Sequence, residues 1–363
     1  MNKLAGNNFS RRGQPALEAS KEEFRKHLVL IDSDLNGHWY GMQRCLEQEI
    51  VRQTNAEVYE ITPRRELRRL ERRFGHGTRY APLRRLLPKM QLRPPQVDVV
   101  WLVLMAPENY RLDLFRGWED CAPYKVVYIF DTLPHQYRHV SRLFSDLTWN
   151  ICITSFDDAV CDLEKATGRH WEQVDQAISR ELFEPAPFEE RPIHFSAYGR
   201  RHPKVHAATI AFCEQHKLYY DISTHSPGMP TTEPVQLLRH YSWHMCHSLF
   251  TFSWPVEATN SARAGHLSPI TCRWFEAAAA GAVVIGQPPK NPHFCELFGE
   301  DFVVPIDPIG NISAIVDQLD LIWKRRRELH ARAAALRAQL GSSLDWSDRV
   351  RQMLGFIQKQ SRV

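Results

Sequence analysis

Apolar residues along this chain come in short continuous runs, and between the runs they return every three or four positions. His27 to Asp32 (HLVLID) and Val58 to Ile61 read as strands, and Val97 to Met105, Lys125 to Phe130 and Ile151 to Thr154 as buried ones. After the first, Asn36 and Gly37 make a polar turn, and a helical stretch runs from about Trp39 to Gln53. Strands apolar on both faces and separated by helices predict a mainly parallel, doubly wound sheet. The proline-rich run FEPAPFEERP, Phe183 to Pro192, interrupts the pattern and reads as a connector. A second alternation follows: strand Ile193 to Tyr198, helix Pro203 to His216, strand Leu218 to Ile222, helix Pro234 to Tyr241 and strand His247 to Phe252. Ser268 and Pro269 then read as the N-cap and first residue of a helix continuing over Ile270 to Ala280. Gly281 supplies a left-handed stop before strand Ala282 to Gly286. Strand Phe302 to Ile306, a long helix over about Ile312 to Leu340 and a terminal helix from Trp346 to Gln360 complete the series. The expected organisation is a polar N-terminal segment (1–22), an α/β domain (23–182), the connector (183–192), a second α/β domain (193–345) and a final helix (346–363) returning to the first domain.

Doubly wound sheets bind ligands beyond the carboxyl ends of their strands. That places Asp32 to His38, Ala106 to Tyr110, Asp131 to His135 and Ser155 to Asp158 on one rim. In the second domain, the helix carrying Arg273 and Glu276 starts at a loop, and its unpaired amides and positive dipole end suit a diphosphate. Arg273 and Glu276 stand three apart on one helical face, so a cation can meet phosphate while a carboxylate accepts from sugar or ribose hydroxyls. An ordinary surface ion pair has the same spacing, and the pattern alone leaves both readings open.

Composition narrows the class. With 363 residues, 43% hydrophobic and 24% charged, the chain suits two globular domains. Its longest apolar runs, Val97 to Ala106 and Ala277 to Gly286, are about half the length a bilayer-spanning helix needs. The first residues lack the apolar core of a secretion signal, which predicts a cytosolic protein. Eight cysteines without any C-x-x-C are expected to be buried thiols. His244, Cys246 and His247 form one local group of metal-ligand types among apolar residues, and His135 and His139 would share a helical face; no metal site is expected from either. The net charge of +4 is uneven. Arg64 to Arg93 holds eleven Lys and Arg against two Glu, a local +9 that leaves −5 elsewhere. Leu67, Leu70 and Phe74, then Leu83, Leu86, Leu87 and Met90, recur at helical spacing there, predicting one or two amphipathic helices with basic outer faces. Such a face is either simply solvated or meets anions, lipid headgroups or nucleic-acid phosphates.

Three segments in order carry a family likeness: VDQAISRELFEP (Val174 to Pro185), FSAYGRRHPKVH (Phe195 to His206), and Arg273, Phe275, Glu276, Ala277 and Gly281 in the pattern R-x-F-E-A, small residues, G. Together they resemble the GT-B glycosyltransferases, most closely the bacterial group-1 enzymes and their CgeB-like branch. The resemblance implies two Rossmann-like domains facing across a cleft, a nucleoside diphosphate sugar as donor, and no metal or other cofactor. It also implies that Gly199, Arg200 and Lys204 lie near the diphosphate with Arg201 as a helper, that Glu276 holds the ribose, and that Arg273 steadies this carboxylate or the phosphate. Many retaining relatives carry an acidic residue eight positions before the motif glutamate; here that position is Ser268, so His266 or Asn260 would contact the sugar instead.

In the first domain, Asp131 and His135 are chosen by position at a strand end, as base or orienting group for an acceptor hydroxyl; Asp131 is as readily a turn cap. Gly37 and His38 are weaker acceptor-side candidates. The expected function is sugar transfer to a hydroxyl of a glycan or glycolipid in cell-surface assembly, with retention as one stereochemical course and the basic block holding the protein to an anionic membrane face. The alternatives are transfer to a modified base in DNA or RNA, and a binding protein of the same shape without turnover.

Overall fold

The computed structural model describes residues 26–35, 40–74, 86–145, 149–222 and 233–360. The first half contains β1 (His27–Asp32), β2 (Glu57–Ile61), β3 (Met90–Gln91), β4 (Val99–Leu104), β5 (Phe115–Arg116), β6 (Tyr124–Ile129), β7 (Ile151–Thr154) and β8 (Trp171–Gln173). Its helices are α1 (Tyr40–Thr54), α2 (Arg65–Phe74), α3 (Tyr137–Ser145) and α4 (Val160–Thr167). Six strands form a parallel sheet in the order β2-β1-β4-β6-β7-β8, while β3 pairs with β5 apart from it. The second half contains β9 (Ile193–Ser196), β10 (Tyr220–Asp221), β11 (Ser248–Ser253), β12 (Val283–Gly286) and β13 (Val303–Pro305), parallel in the order β10-β9-β11-β12-β13. Its helices are α5 (Pro203–His216), α6 (Pro234–Cys246), α7 (Val256–Thr259), α8 (Ser261–Ala264), α9 (Cys272–Ala280), α10 (Pro292–Phe298), α11 (Ile312–Lys324), α12 (Arg326–Leu340) and α13 (Trp346–Gln360).

Both sheets are buried on two faces at their centres, as continuous apolar strands require: all six residues of β4 and all six of β11 are buried, while the edge strand β2 buries only Ile61. The sheets share one topological feature. The chain leaves β1 for β2 on one side and β4 on the other, and leaves β9 for β10 on one side and β11 on the other. Each split opens a crevice at the strands' carboxyl ends, where open α/β sheets take their ligands.

A continuous apolar core joins the halves through α1, α6, α9 and α13. Gly41 of α1 is what lets α1 and α6 approach: a Cβ there would lie 2.6 Å from Leu238 Cβ and 2.7 Å from the Pro234 carbonyl oxygen. After the second sheet, α13 crosses back to pack against α1, and the buried Trp346 sets its ring edge-on to Tyr128 and Phe130 of the first half. The two crossing segments are bonded to each other, Ile178 N to Leu344 O at 2.9 Å and Trp346 N to Ile178 O at 3.1 Å. In the connector, the buried Arg191 donates to the carbonyls of Ala186, Ser248, Ala280 and Gly281, capping the negative end of α9.

Several expectations change. α9 starts at Cys272 with Thr271 as its N-cap, so Ser268 caps nothing. Tertiary bonds claim Ser268 instead: its N–H donates to Asp158 at 2.6 Å, and its hydroxyl accepts from Lys290 N–H at 2.6 Å and contacts Glu257. The long helix expected over 312–340 breaks at Arg325 (φ −93, ψ 8) into α11 and α12, and no residue in the basic run Lys324 to Arg327 announces the break. In the basic block α2 forms as expected, but Met90 belongs to strand β3; Leu83 lies outside the described residues. Of the cysteines, Cys161 and Cys295 are exposed and Cys272 is half-buried, so burial holds for the other five. Among the described residues no helix is long and apolar enough to cross a membrane.

Candidate active site

A cavity of about 700 Å³ occupies the space between the two crevices. The first half contributes Tyr40 at the start of α1, Met105, Ala106 and Asn109 after β4, and Phe130 and Asp131 after β6. The second contributes Tyr198 to Arg201 after β9, Ser253 and Trp254 after β11, Tyr241 of α6, Arg263 of α8, and Thr271, Cys272, Arg273 and Glu276 at the start of α9.

The first turn of α9 therefore opens into the cavity, presenting backbone amides that have no partner within the helix. The Thr271 hydroxyl there is buried and unpartnered among the described residues. One turn on, Glu276 is only 3% exposed. It pairs with Arg273 Nη1 at 3.1 Å and accepts from the Tyr241 hydroxyl at 3.3 Å, while the Arg273 guanidinium lies over the Tyr241 ring at 4.9 Å. Burial raises the pKa of Glu276, and Arg273 opposes that rise only in part. Gly199 has φ +100, and a Cβ there would stand 3.2 Å from Arg273 Nη2; glycine thus permits both the left-handed turn and the approach of the guanidinium. Beside it, Arg200 donates to the Trp254 carbonyl at 3.4 Å and keeps a buried, unpartnered Nε. Burial and the nearby Arg273 lower its pKa, yet an arginine so placed stays cationic at neutral pH.

Across the cavity, Asp131 Oδ2 lies 3.4 Å from Arg263 Nη2. Surrounding atoms desolvate this carboxylate and raise its pKa, against the opposing pull of Arg263 and Arg200. The cavity walls carry Arg200, Arg201, Arg263 and Arg273 against Asp131 and Glu276, a net charge of +2.

Of the residues singled out from sequence, Asp131, Gly199, Arg200, Arg201, Arg273 and Glu276 meet in this cavity. Others lie elsewhere. Lys204 points outward from α5, its Nζ donating to the Ile309 carbonyl at 3.3 Å. His266 is exposed and pairs with Asp162 at 2.9 Å, Asn260 caps α8, and Ser268 is bound as described above. His135 sits exposed in the short turn Pro134–Gln136, whose cap is Leu133, so Asp131 caps nothing there. Gly37 and His38 fall outside the described residues. His244 bonds to Asp221 at 2.7 Å, and His247 stacks on Trp243, which accounts for two members of the 244–247 group. Sequence reasoning missed Tyr241, Trp254, Arg263 and Thr271. Thr271 was legible in principle as a threonine two places before Arg273; the others sit in stretches with no motif around them.

Residues 173–355, half of the chain, match the family model described as glycosyl transferase-like. The chain belongs to this family. No curated protein matches it in sequence. Among solved structures it is similar to a glycosyltransferase from Rickettsia africae ESF-5, at 10% identity and a TM-score of 0.50, covering 93% of this chain and 98% of that one. It is also similar to the UDP-GlcNAc 2-epimerase of Neisseria meningitidis, solved bound to UDP-GlcNAc, at 8% identity and a TM-score of 0.51, covering 92% and 100%. Identities this low show the shared fold, the GT-B arrangement of two doubly wound domains across a cleft. The glycosyl transferase-like family supports glycosyltransferase activity for this one.

Proposed function

We propose that the cavity binds a nucleoside diphosphate sugar and passes its sugar to an acceptor hydroxyl. One observation carries this reading: the N-terminus of α9, Arg200, Arg273 and the buried Glu276 surround a single cavity whose net charge of +2 matches the two negative charges of a sugar-linked diphosphate. As the bond from the anomeric carbon to phosphate breaks, its electron pair leaves with the nucleoside diphosphate. Arginines and amides already in place stabilise that growing charge more than they stabilise the bound donor. Glu276 is fixed on a helix with its remaining acceptor capacity facing the cavity, as hydrogen bonds from a ribose diol require. Asp131 is the carboxylate on the opposite wall. In an inverting displacement it takes the acceptor proton; in a retaining one the departing phosphate takes that proton and Asp131 orients the hydroxyl. Lys204, His266 and Ser268 have no part in this arrangement.

The acceptor is a cell-surface glycan or glycolipid in this reading, and the basic block around α2 attaches the enzyme to an anionic membrane face. Such attachment weakens with salt. Flotation with acidic vesicles at low and high ionic strength tests it, and equal recovery with neutral lipid refutes it.

A thermal-shift screen of nucleoside diphosphate sugars identifies the donor, because a ligand of the native state stabilises it by mass action. Arg200→Ala and Glu276→Ala should abolish both the shift and turnover while the fold is retained. Full turnover in both variants would show that the site lies elsewhere, and the anomeric configuration of the product decides the role of Asp131.

A further inference from the structure

We infer that Arg263 is shared between the two sides of the reaction: it holds Asp131 while the cleft is empty and turns to the donor's diphosphate when that binds, leaving Asp131 to the acceptor hydroxyl. This inference rests on the donor-site reading above. Its basis is a contact between the domains. Arg263 lies on α8, whose N-cap Asn260 accepts from the Arg263 N–H at 3.1 Å, and whose end at Gly265 (φ +63) leans on the Asp131 loop. A Cβ at Gly265 would lie 3.0 Å from Pro134 Cγ, so the backbone bearing the arginine and the loop bearing the aspartate are in touch.

Among the described residues Asp131 is the one side chain bonded to the Arg263 guanidinium. At 3.4 Å, with 44% of the arginine and 31% of the aspartate side chain exposed, that pair is weak and exchangeable. A diphosphate offers the guanidinium two charges and several oxygens in fork geometry, where Asp131 offers a single contact. The ionisable groups facing Asp131 are Arg263, Arg200, Glu108 and His135. Glu108 is already engaged by Gln136 at 2.9 Å and His139 at 3.2 Å, and among the described residues Arg200 makes no bond to Asp131, which leaves Arg263 as its exchangeable partner. Withdrawing it, and bringing in an anionic donor, makes Asp131 a stronger proton acceptor at the moment one is needed. In the inverting course the acceptor O–H proton then passes to Asp131, the acceptor oxygen bonds the anomeric carbon, and the electron pair of the old bond leaves on the diphosphate; in the retaining course the freed Asp131 orients that hydroxyl while the departing phosphate takes its proton. Binding is accordingly ordered, donor before acceptor.

Inorganic pyrophosphate is a sufficient probe, because the exchange needs neither the nucleoside nor the acceptor. Its affinity is measured calorimetrically for the wild type, Asp131→Asn, Arg263→Ala, the double variant and Arg200→Ala, with melting curves to verify folding. Asp131→Asn releases the arginine and should tighten binding about three- to tenfold, while Arg263→Ala should weaken it by a similar factor. In the Arg263→Ala background, Asp131→Asn should change it less than about twofold. Arg263→Lys, which keeps the charge without the fork, should fall between. An equal gain from Asp131→Asn in both backgrounds, or unchanged binding in Arg263→Ala, overturns the inference. Loss of binding in Arg200→Ala but not in Arg263→Ala sinks this inference alone; a wild type that binds no pyrophosphate, or an Arg200→Ala variant that binds it normally, sinks the donor-site reading with it.

Discussion

Replacing Glu276 by glutamine should make the empty protein more stable and the donor complex weaker. The carboxylate is 3% exposed, and its compensation is one guanidinium at 3.1 Å and one tyrosine hydroxyl at 3.3 Å, which is less than an ion buried so deeply requires. Glutamine keeps the volume and an acceptor for Tyr241 but removes the charge. Arg273 loses little, since about a quarter of its side chain stays open and it rests on the Tyr241 ring. Relief of about 1 kcal/mol follows, a rise in melting temperature of roughly 2 °C. The pH dependence has a definite sign. Folding raises the pKa of this carboxyl, so its contribution to stability is full below the unfolded pKa and disappears as pH climbs through the folded one. The variant should therefore gain on the wild type as pH rises above the ordinary carboxyl range. Donor binding moves the other way, because charge-assisted hydrogen bonds to the ribose are worth about 1.5–3 kcal/mol, or roughly 10- to 150-fold in affinity. Differential scanning fluorimetry with and without donor reads both effects. A glutamine variant that melts well below the wild type at pH 8, with an undiminished donor shift, would make Glu276 a structural ion-pair member and end its role as ribose ligand.

Other substitutions test neighbouring claims. Gly199→Ala places a methyl in the left-handed region and 3.2 Å from Arg273 Nη2, so it should cost about 1–2 kcal/mol of stability and weaken donor affinity by about tenfold or more; calorimetric affinity equal to wild type would refute the close approach. Arg191→Met strips the carbonyls of Ala186, Ser248, Ala280 and Gly281 of their donor and should lower stability by about 3–5 kcal/mol in urea titrations with an unchanged slope, whereas a loss under about 1 kcal/mol would make those bonds incidental. Burial pushes the Asp158 carboxyl up to about 6, so this group favours the native state when protonated and loses that contribution as pH rises through 6. Asp158→Asn should flatten the decline in the urea midpoint between about pH 4 and pH 6, and an unaltered profile would assign that decline to another group.

The alternating strands and helices were legible because their determinants are local: continuous apolar runs for strands buried on both faces, and Pro203, Pro234 and Gly281 at helix ends. The Arg273 and Glu276 helix was legible for the same reason. Its starting point was not, because Ser268 looks like a cap in sequence and is taken by Asp158 and Lys290, which are remote along the chain. The resemblance put Arg200 and Lys204 side by side; the structure brings Arg200 to the cavity, while four residues on α5 has turned the lysine away toward Ile309. Arg263 and Tyr241 join the cavity through tertiary packing alone, which no short-range pattern encodes.

The doubled crossover also bears on biosynthesis. Trp346 fills the first lobe between Tyr128 and Phe130, yet along the chain it follows every strand of the second sheet. Until Trp346 is made the nascent first lobe carries an apolar gap, open to chaperones or to premature collapse, and it closes only after the strands of the second lobe have been synthesised. Chimaeras that exchange lobes between relatives must therefore transplant the final helix together with the amino-terminal lobe, and a cut at the connector alone would leave both pieces unfinished.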